Sequence, residues 1–456
     1  MTTNGSAGLT LRLAEFVATT RYEDLPPEVV AMARLCVGDW LGVTLAGSRE
    51  AGPNILAAAL PRSGPGRSAT LVGRRRRATP AAAALVNGVA GHVLDFDDTH
   101  YPTVLHATGA VAPAVLALAE DLRCSGRRAL TAFALGFELA ARVASAVYPW
   151  HYDIGWHITG TVGTLGAAAG CAALLGLDSS RTAHAVGIAA SQAAGLREMF
   201  GSMTKSLHPG KAAVNGLEAA LWARAGFTSS LQAIEAPRGF GSVLSPQWQP
   251  QAALEGLGTS WQILRNGFKP FPCGVVSHPA IEGALRLRAD GVMPGDVREV
   301  RLRCHPLVGE LTGKLEPRTG LEGKFSVYHC VATALVRGEL GPLQFTDDAL
   351  DQPAVRQLRE KVTLSLDLQL AVDEAYVEAV TADGRAFSQH VEHAEGSPAN
   401  PLTATQLQEK FQRNARAVVD SPRIPRLTRL AFGLSDVPDV RRLMALMRLR
   451  AAPHNV

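Results

Sequence analysis

Residues 158–177 read ITGTVGTLGAAAGCAALLGL, twenty consecutive positions without a charged side chain. Gly160, Gly163, Gly166 and Gly170 recur three or four apart, the spacing of adjoining helical turns. Length alone would allow a membrane span. The composition argues otherwise, because Gly, Ala and Thr dominate over large aliphatic residues and small residues let neighbouring backbones come close. The stretch is read as the central helix of a packed body, and no membrane partner is expected.

Working outward, residues 9–19, 29–46, 79–87, 108–122, 130–146, 159–175, 181–192 and 211–225 carry apolar side chains at helical spacing, with Pro and Gly at the joins. Helices are expected almost throughout residues 8–265. The period changes near residue 266. VREVRLRC at 297–304 and KVTLSLDLQL at 361–370 alternate, and residues 376–380 and 386–391 flank Asp383-Gly384, a hairpin-turn signal. Helical spacing returns at 403–415 and 437–448. The expected fold is mainly α with an inserted α/β (α+β) portion. A helical domain covers 1–265, the α/β domain 266–400, and the helices of 401–456 return to the helical body. No G-x-G-x-x-G follows a strand, so no dinucleotide site is expected.

Apolar residues make up 47% of the 456 positions and charged residues 19%, enough for a large core and against disorder. Aromatics at 6% suit an all-β protein poorly. A net charge of +4 is too mild to point to nucleic acid, and the basic run at 74–77 is read as a solvated loop. Cys36, Cys124, Cys171, Cys273, Cys304 and Cys330 form no C-x-x-C pair. They read as buried reduced thiols of a cytoplasmic protein, with no zinc or iron–sulfur site. The opening MTTNGSAGLTLRLAEF lacks the basic-then-apolar order of a signal peptide.

Four stretches concentrate ionisable residues in apolar surroundings. The first runs from His92 through Asp95, Asp97, Asp98, Thr99 and His100 to His106, between a helix end and a helix start. It could carry acid–base groups or merely cap helices. Asp97, Asp98, His100 and His106 also allow a metal reading, though at no standard spacing. In the second, His157 precedes the uncharged helix, whose N-terminus favours an anion. In the third, Lys205 and His208 stand before a helix in GSMTKSLHPGK, where a lysine could clamp a carboxylate. In the fourth, Lys269 sits among Phe and Pro in NGFKPFPC, where the helical part gives way to the α/β part.

In order and wording, LDFDDTH with LHATGAV, GWHITGTVGTLGAAAG, GSMTKSLHPGKAAVNGL, NGFKPFPC and KFSVYHCVATAL resemble the MmgE/PrpD family over about residues 8–450. That family includes 2-methylcitrate dehydratase, cis-aconitate decarboxylase and iminodisuccinate epimerase. The resemblance implies a helical domain under an α/β lid, a homodimer, and no metal or organic cofactor. Its pocket residues carry over to Asp95, Thr99, His106, His157, Lys205 and Lys269, with Ser326 and Tyr328 on the lid side. Departures touch the substrate more than the chemistry. Ala107 follows His106 and Ser206 follows Lys205 where the family usually has Pro, and Gly274 follows Cys273 where the decarboxylase has a histidine shortly after its Phe-Pro.

These residues fit a lyase acting on a small anionic di- or tricarboxylate. Lys205 and Lys269 would hold carboxylates, and His106 and His157 would move protons. Asp95 would orient a histidine, and Thr99 would bond the substrate. Dehydration of a 2-methylcitrate-like acid is the favoured reaction. Decarboxylation of a cis-aconitate-like acid, epimerisation of an imino-dicarboxylate, and silent carboxylate binding are the alternatives.

Overall fold

The computed structural model describes residues 8–449 apart from 62–65 and 67. The first seven residues of the signal-peptide reading, and residues 450–456 of the C-terminal region, lie outside them. The chain forms a large helical body and a smaller α/β unit, each with its own apolar core. One core joins residues from 9–268 with residues from 402–447, and the other spans 273–379.

At the centre of the body lies the helix Ile158–Leu175, in which all but Ala173 and Leu175 are buried. It packs on Gly126–Val147, Met203–Arg224, Ala107–Asp121 and Ser179–Ala190. Glycine makes this possible. A Cβ on Gly166 would meet the Gly136 carbonyl at 2.7 Å, and one on Gly136 would meet the Gly166 carbonyl at 2.6 Å. Three helices, Pro27–Gly47, Gly126–Val147 and Ile158–Leu175, are long and apolar enough to cross a membrane. Inside the protein, 67%, 89% and 89% of their apolar windows are already buried, so the driving force is spent on the core.

The body departs from the sequence reading in four places. The helix Met203–Arg224 starts eight residues before the expected 211, so Lys205 lies in its first turn rather than ahead of it. Pro209-Gly210 reads as a breaker, yet Pro209 is accommodated inside the helix. Residues 225–265 are turns and short helical pieces rather than regular helices. Within them, residues 253–260 gather around the buried Arg142, which bonds Glu138 at 2.7 Å and the carbonyls of Ala253, Glu255, Gly256 and Ser260. The basic run at 74–77 is a bend only partly solvated: Arg75 is exposed, while Arg74 and Arg76 bond carbonyls at 48, 57, 60 and 61, and Arg77 pairs with Glu120.

In the α/β unit, four strands lie in the order Val362–Leu366, Val297–Cys304, Ala375–Thr381, Ala386–Val391. The first pair is parallel and the other two antiparallel. Alternation puts Val300, Leu302 and Cys304 on the buried face, and a register shift at Val297/Glu299 explains why the pattern falters there. The alternating run at 361–370 yields a strand only to Leu366, because Asp367 turns the chain. Helices His278–Ala289 and Val327–Arg337 cover the buried face.

The C-terminal helix Ala404–Arg416 packs on Pro27–Gly47 in the body. From it Lys410, 2% exposed, reaches Asp39 at 2.9 Å and the Phe96 carbonyl at 2.8 Å. Lys410→Met would leave Asp39 buried without its counter-ion. Stability should fall by about 3 kcal/mol, measured by urea unfolding, and a change too small to resolve would show that the pair is not structural.

Candidate active site

Segments remote in the chain deliver the charged groups. Helix Pro80–His92 ends, and the loop that follows carries Asp95 at φ +52°, a left-handed conformation that Asp tolerates better than most residues. Thr99–His100 then pairs with Asn266–Gly267 in a two-residue antiparallel ladder, Thr99 opposite Gly267. That ladder fixes Lys269 beside the loop. Lys205 arrives from the first turn of Met203–Arg224.

The carboxylate of Asp95 is the meeting point. Its Oδ1 accepts from Lys205 Nζ at 2.9 Å and from Lys269 Nζ at 2.8 Å. All three side chains are buried. Burial alone would raise the Asp95 carboxyl, but the two ammonium groups hold it well below the usual range. Three buried lysines also grip three successive carbonyls of this loop. Lys324 donates to Leu94 O at 2.8 Å, Lys269 to Asp95 O at 3.2 Å and Lys410 to Phe96 O at 2.8 Å.

Lys205 also donates to His92 Nε2 at 3.0 Å, while His92 Nδ1 faces Asp97 at 2.9 Å. Asp97 therefore takes the Nδ1 hydrogen and leaves Nε2 as acceptor for the ammonium. Burial holds His92 neutral, with its pKa down at about 4. His106 is set similarly. Its Nδ1 lies 2.9 Å from the Asp98 carbonyl and 3.4 Å from both Asp97 and Thr99 Oγ1. A ring nitrogen facing a carbonyl carries the hydrogen, so Nε2 keeps the lone pair. Burial lowers the pKa of His106, and Asp97 opposes that.

His157 is the N-cap residue of the central helix, but its side chain makes no cap bond. Its Nδ1 lies 2.8 Å from His208 Nδ1, so one ring donates and the other accepts. Burial, then Lys205 and His208, push His157 well below its usual pKa.

Asp95, Thr99, His106, His157, Lys205 and Lys269 all line one small cavity of about 40 Å³ between the body and the α/β unit. Tyr152 and Phe200 flank it, and Gly274, Val275, Val276, Leu311, Thr312 and Phe325 close it from the lid side. Thr99 adds strain-free backbone pairing, whereas Val104, a β-branched residue on the cavity wall, sits at φ +51°. Strained backbone of this kind gathers at functional sites. Ser326 and Tyr328 are not part of the wall. Ser326 is spent as a helix cap, accepting from His329 N at 3.1 Å, and Tyr328 packs against the lid core. Their neighbour Phe325 supplies the lining instead.

Family models match both parts of the chain: the MmgE/PrpD N-terminal domain over residues 11–253 and the MmgE/PrpD C-terminal domain over residues 271–428. The chain belongs to the MmgE/PrpD family. Among curated relatives, human cis-aconitate decarboxylase is 31% identical over 83% of this chain and 81% of its own length. A cis-aconitate decarboxylase-like protein of Aspergillus oryzae is 29% identical over 96% of this chain and 97% of its own. The cis-aconitate decarboxylase of Aspergillus terreus is 26% identical over 97% and 96%.

A metal fits the donors poorly. Asp97, Asp98, His100 and His106 do not converge, since Asp98 bonds Thr108 and Asn266 while His100 bonds Thr103. His92, Asp97 and His106 do come within 4.8 Å of one another. They already satisfy each other, however, and the Lys205 ammonium stands beside His92, where a cation would be repelled.

Sequence reasoning named His92 and His208 in its stretches without giving either a role, and passed over Tyr152, Phe200 and Lys324. His208 was findable, three residues after Lys205 and so on the same helix face. Asp95→Asn keeps size and backbone tolerance but strips two buried ammonium groups of their anion. Stability should fall by about 3 kcal/mol, and saturating glutarate should raise its melting temperature more than it raises that of the parent protein. Equal shifts in thermal melts would show that the lysines do not face the ligand.

Proposed function

We propose that the protein is a carboxy-lyase that decarboxylates a small unsaturated polycarboxylate of the cis-aconitate type, using side chains alone. The observation that carries this is the pair of buried ammonium groups, Lys205 and Lys269, lining one cavity with two imidazoles. The names of the relatives favour decarboxylation over the dehydration that the sequence alone placed first.

The chemistry is short. The carbon–carbon bond to the departing carboxylate breaks and carbon dioxide leaves. Its electron pair moves into the adjacent bond, and the double-bond pair passes to the α-carbon of the retained carboxylate. That carboxylate becomes enolate-like and more negative, so Lys205 and Lys269 stabilise the transition state more than the ground state in a poorly hydrated site. One proton must then reach the α-carbon. His106 supplies it once charged, with Asp97 and the Asp98 carbonyl balancing the imidazolium at Nδ1. His157, steadied by His208, bonds the substrate from another wall.

His106→Gln and Lys269→Met should each cost on the order of a hundredfold in kcat, read as carbon dioxide release. The pH profile follows from the depressed His106. At neutral pH the free ring is mostly uncharged, and the charged donor form grows as pH falls. So kcat/KM should rise toward acid and fall about tenfold per unit above neutrality. A flat profile from pH 6.5 to 8.5 would remove His106 as the acid. Loss of a hydroxyl, loss of optical rotation alone, or thermal stabilisation without turnover would instead indicate dehydration, epimerisation or silent binding.

A further inference from the structure

The cavity has two chemically different walls. The body and its junction with the lid contribute Asp95, Thr99, His106, His157, Lys205 and Lys269, which carry every charge in the lining. The opposite wall is Gly274, Val275, Val276, Leu311, Thr312 and Phe325. Its one side-chain polar atom, Thr312 Oγ1, donates to the Val308 carbonyl at 2.8 Å. Three cationic side chains of the neighbouring segments are bound elsewhere. Lys324 Nζ is committed to the Leu94 and Pro272 carbonyls, Lys314 pairs with Glu322, and Arg197 pairs with Glu310 and the Tyr152 carbonyl. The wall is also tight, since a Cβ on Gly274 would meet Thr312 Cγ2 at 2.6 Å.

We infer that the substrate is an unsaturated dicarboxylate whose third arm is a short hydrocarbon, seated against Val275, Val276 and Leu311. This deepens the carboxy-lyase reading and rests on it. Two ammonium groups, partly offset by Asp95, suffice for two carboxylates. A third carboxylate would face a lid wall that offers no charged side chain, and a buried charge without a counter-ion is strongly disfavoured. A methyl or ethyl arm gains apolar contact there instead. The electron flow allows the exchange. The departing carboxylate sits on one side of the central carbon and the electron-accepting carboxylate on the other. The central substituent receives no electron pair, so carboxylate or alkyl there leaves the bond-breaking step and its single proton uptake unchanged.

The probes are 3-methylglutaconate, which carries methyl where cis-aconitate has its central carboxylate, and cis-aconitate itself. Carbon dioxide release gives kcat/KM for each. Calorimetry gives the affinities of the saturated analogues 3-methylglutarate and tricarballylate. The methyl-bearing compounds should be preferred by about tenfold or more in both measurements, the scale on which a pocket that pairs one group rejects its replacement. Val275→Lys, at a half-buried position, and independently Leu311→Lys should move the preference toward the tricarboxylates by a similar factor. Preference of the parent protein for cis-aconitate and tricarballylate, unmoved by either lysine, would overturn the inference while leaving decarboxylation standing. Tighter binding of 3-methylglutarate with no carbon dioxide from either acid would support the substrate class and remove the carboxy-lyase reading. Binding of neither analogue would overturn both.

Discussion

One carboxylate shared by two ammonium groups organises the molecule. Asp95 bonds Lys205 from the helical body and Lys269 from the junction with the α/β unit, at 2.9 and 2.8 Å. Burial alone would raise the Asp95 carboxyl and lower the Lys205 ammonium, and each opposes that shift in the other. The loop that carries Asp95 is held rigidly enough to serve. Lys324 from the lid, Lys269 from the junction and Lys410 from the C-terminal helix bond the carbonyls of Leu94, Asp95 and Phe96 in turn. The body, the lid and the returning helix thus meet on three residues, so the packing of both cores is expressed as the geometry of one site.

Around that centre, burial decides the protonation states. His92 is neutral because desolvation outweighs Asp97, and its free lone pair then anchors Lys205. His106 is poised differently: it touches the cavity, so an incoming anion adds the negative charge that its ring lacks. A single loop carboxylate, Asp97, serves both rings. Outside the cavity, Phe200, Leu311 and Phe325 separate the inner space from a wider cleft that holds Arg197, Glu310 and Lys314. The ion pair between Arg197 and Glu310 crosses from body to lid at 2.5 Å.

Much of this was legible in the chain. The uncharged run at 158–177 identifies the central helix because only glycine and alanine permit backbones to touch on several sides. Alternation identifies Val297–Cys304 and the hairpin around Asp383-Gly384, since one face of each strand is buried. What stayed hidden depends on long-range contact. Pro209-Gly210 signals a break, yet the surrounding body carries the helix through it. The 225–265 segment is held by long-range polar bonds rather than a helical period, Arg142 gripping residues 253–260 and Thr10 holding Ile234. Among the site residues, Lys205 and Lys269 stand out as lone charges in apolar sequence. His92 does not, since a histidine closing a helix has many ordinary uses. Ser326 shows the opposite error: a serine before a helix is usually its cap, and here it is.

The account stands or falls on where an anion binds. A crystal structure of the complex with tricarballylate or 3-methylglutarate addresses this directly. The account predicts a carboxylate oxygen within hydrogen-bond distance of both Lys205 Nζ and Lys269 Nζ, with Asp95 still joining them and His106 Nε2 turned to the ligand. A ligand resting in the outer cleft against Arg197 and Lys314, with the inner cavity unchanged, would contradict it.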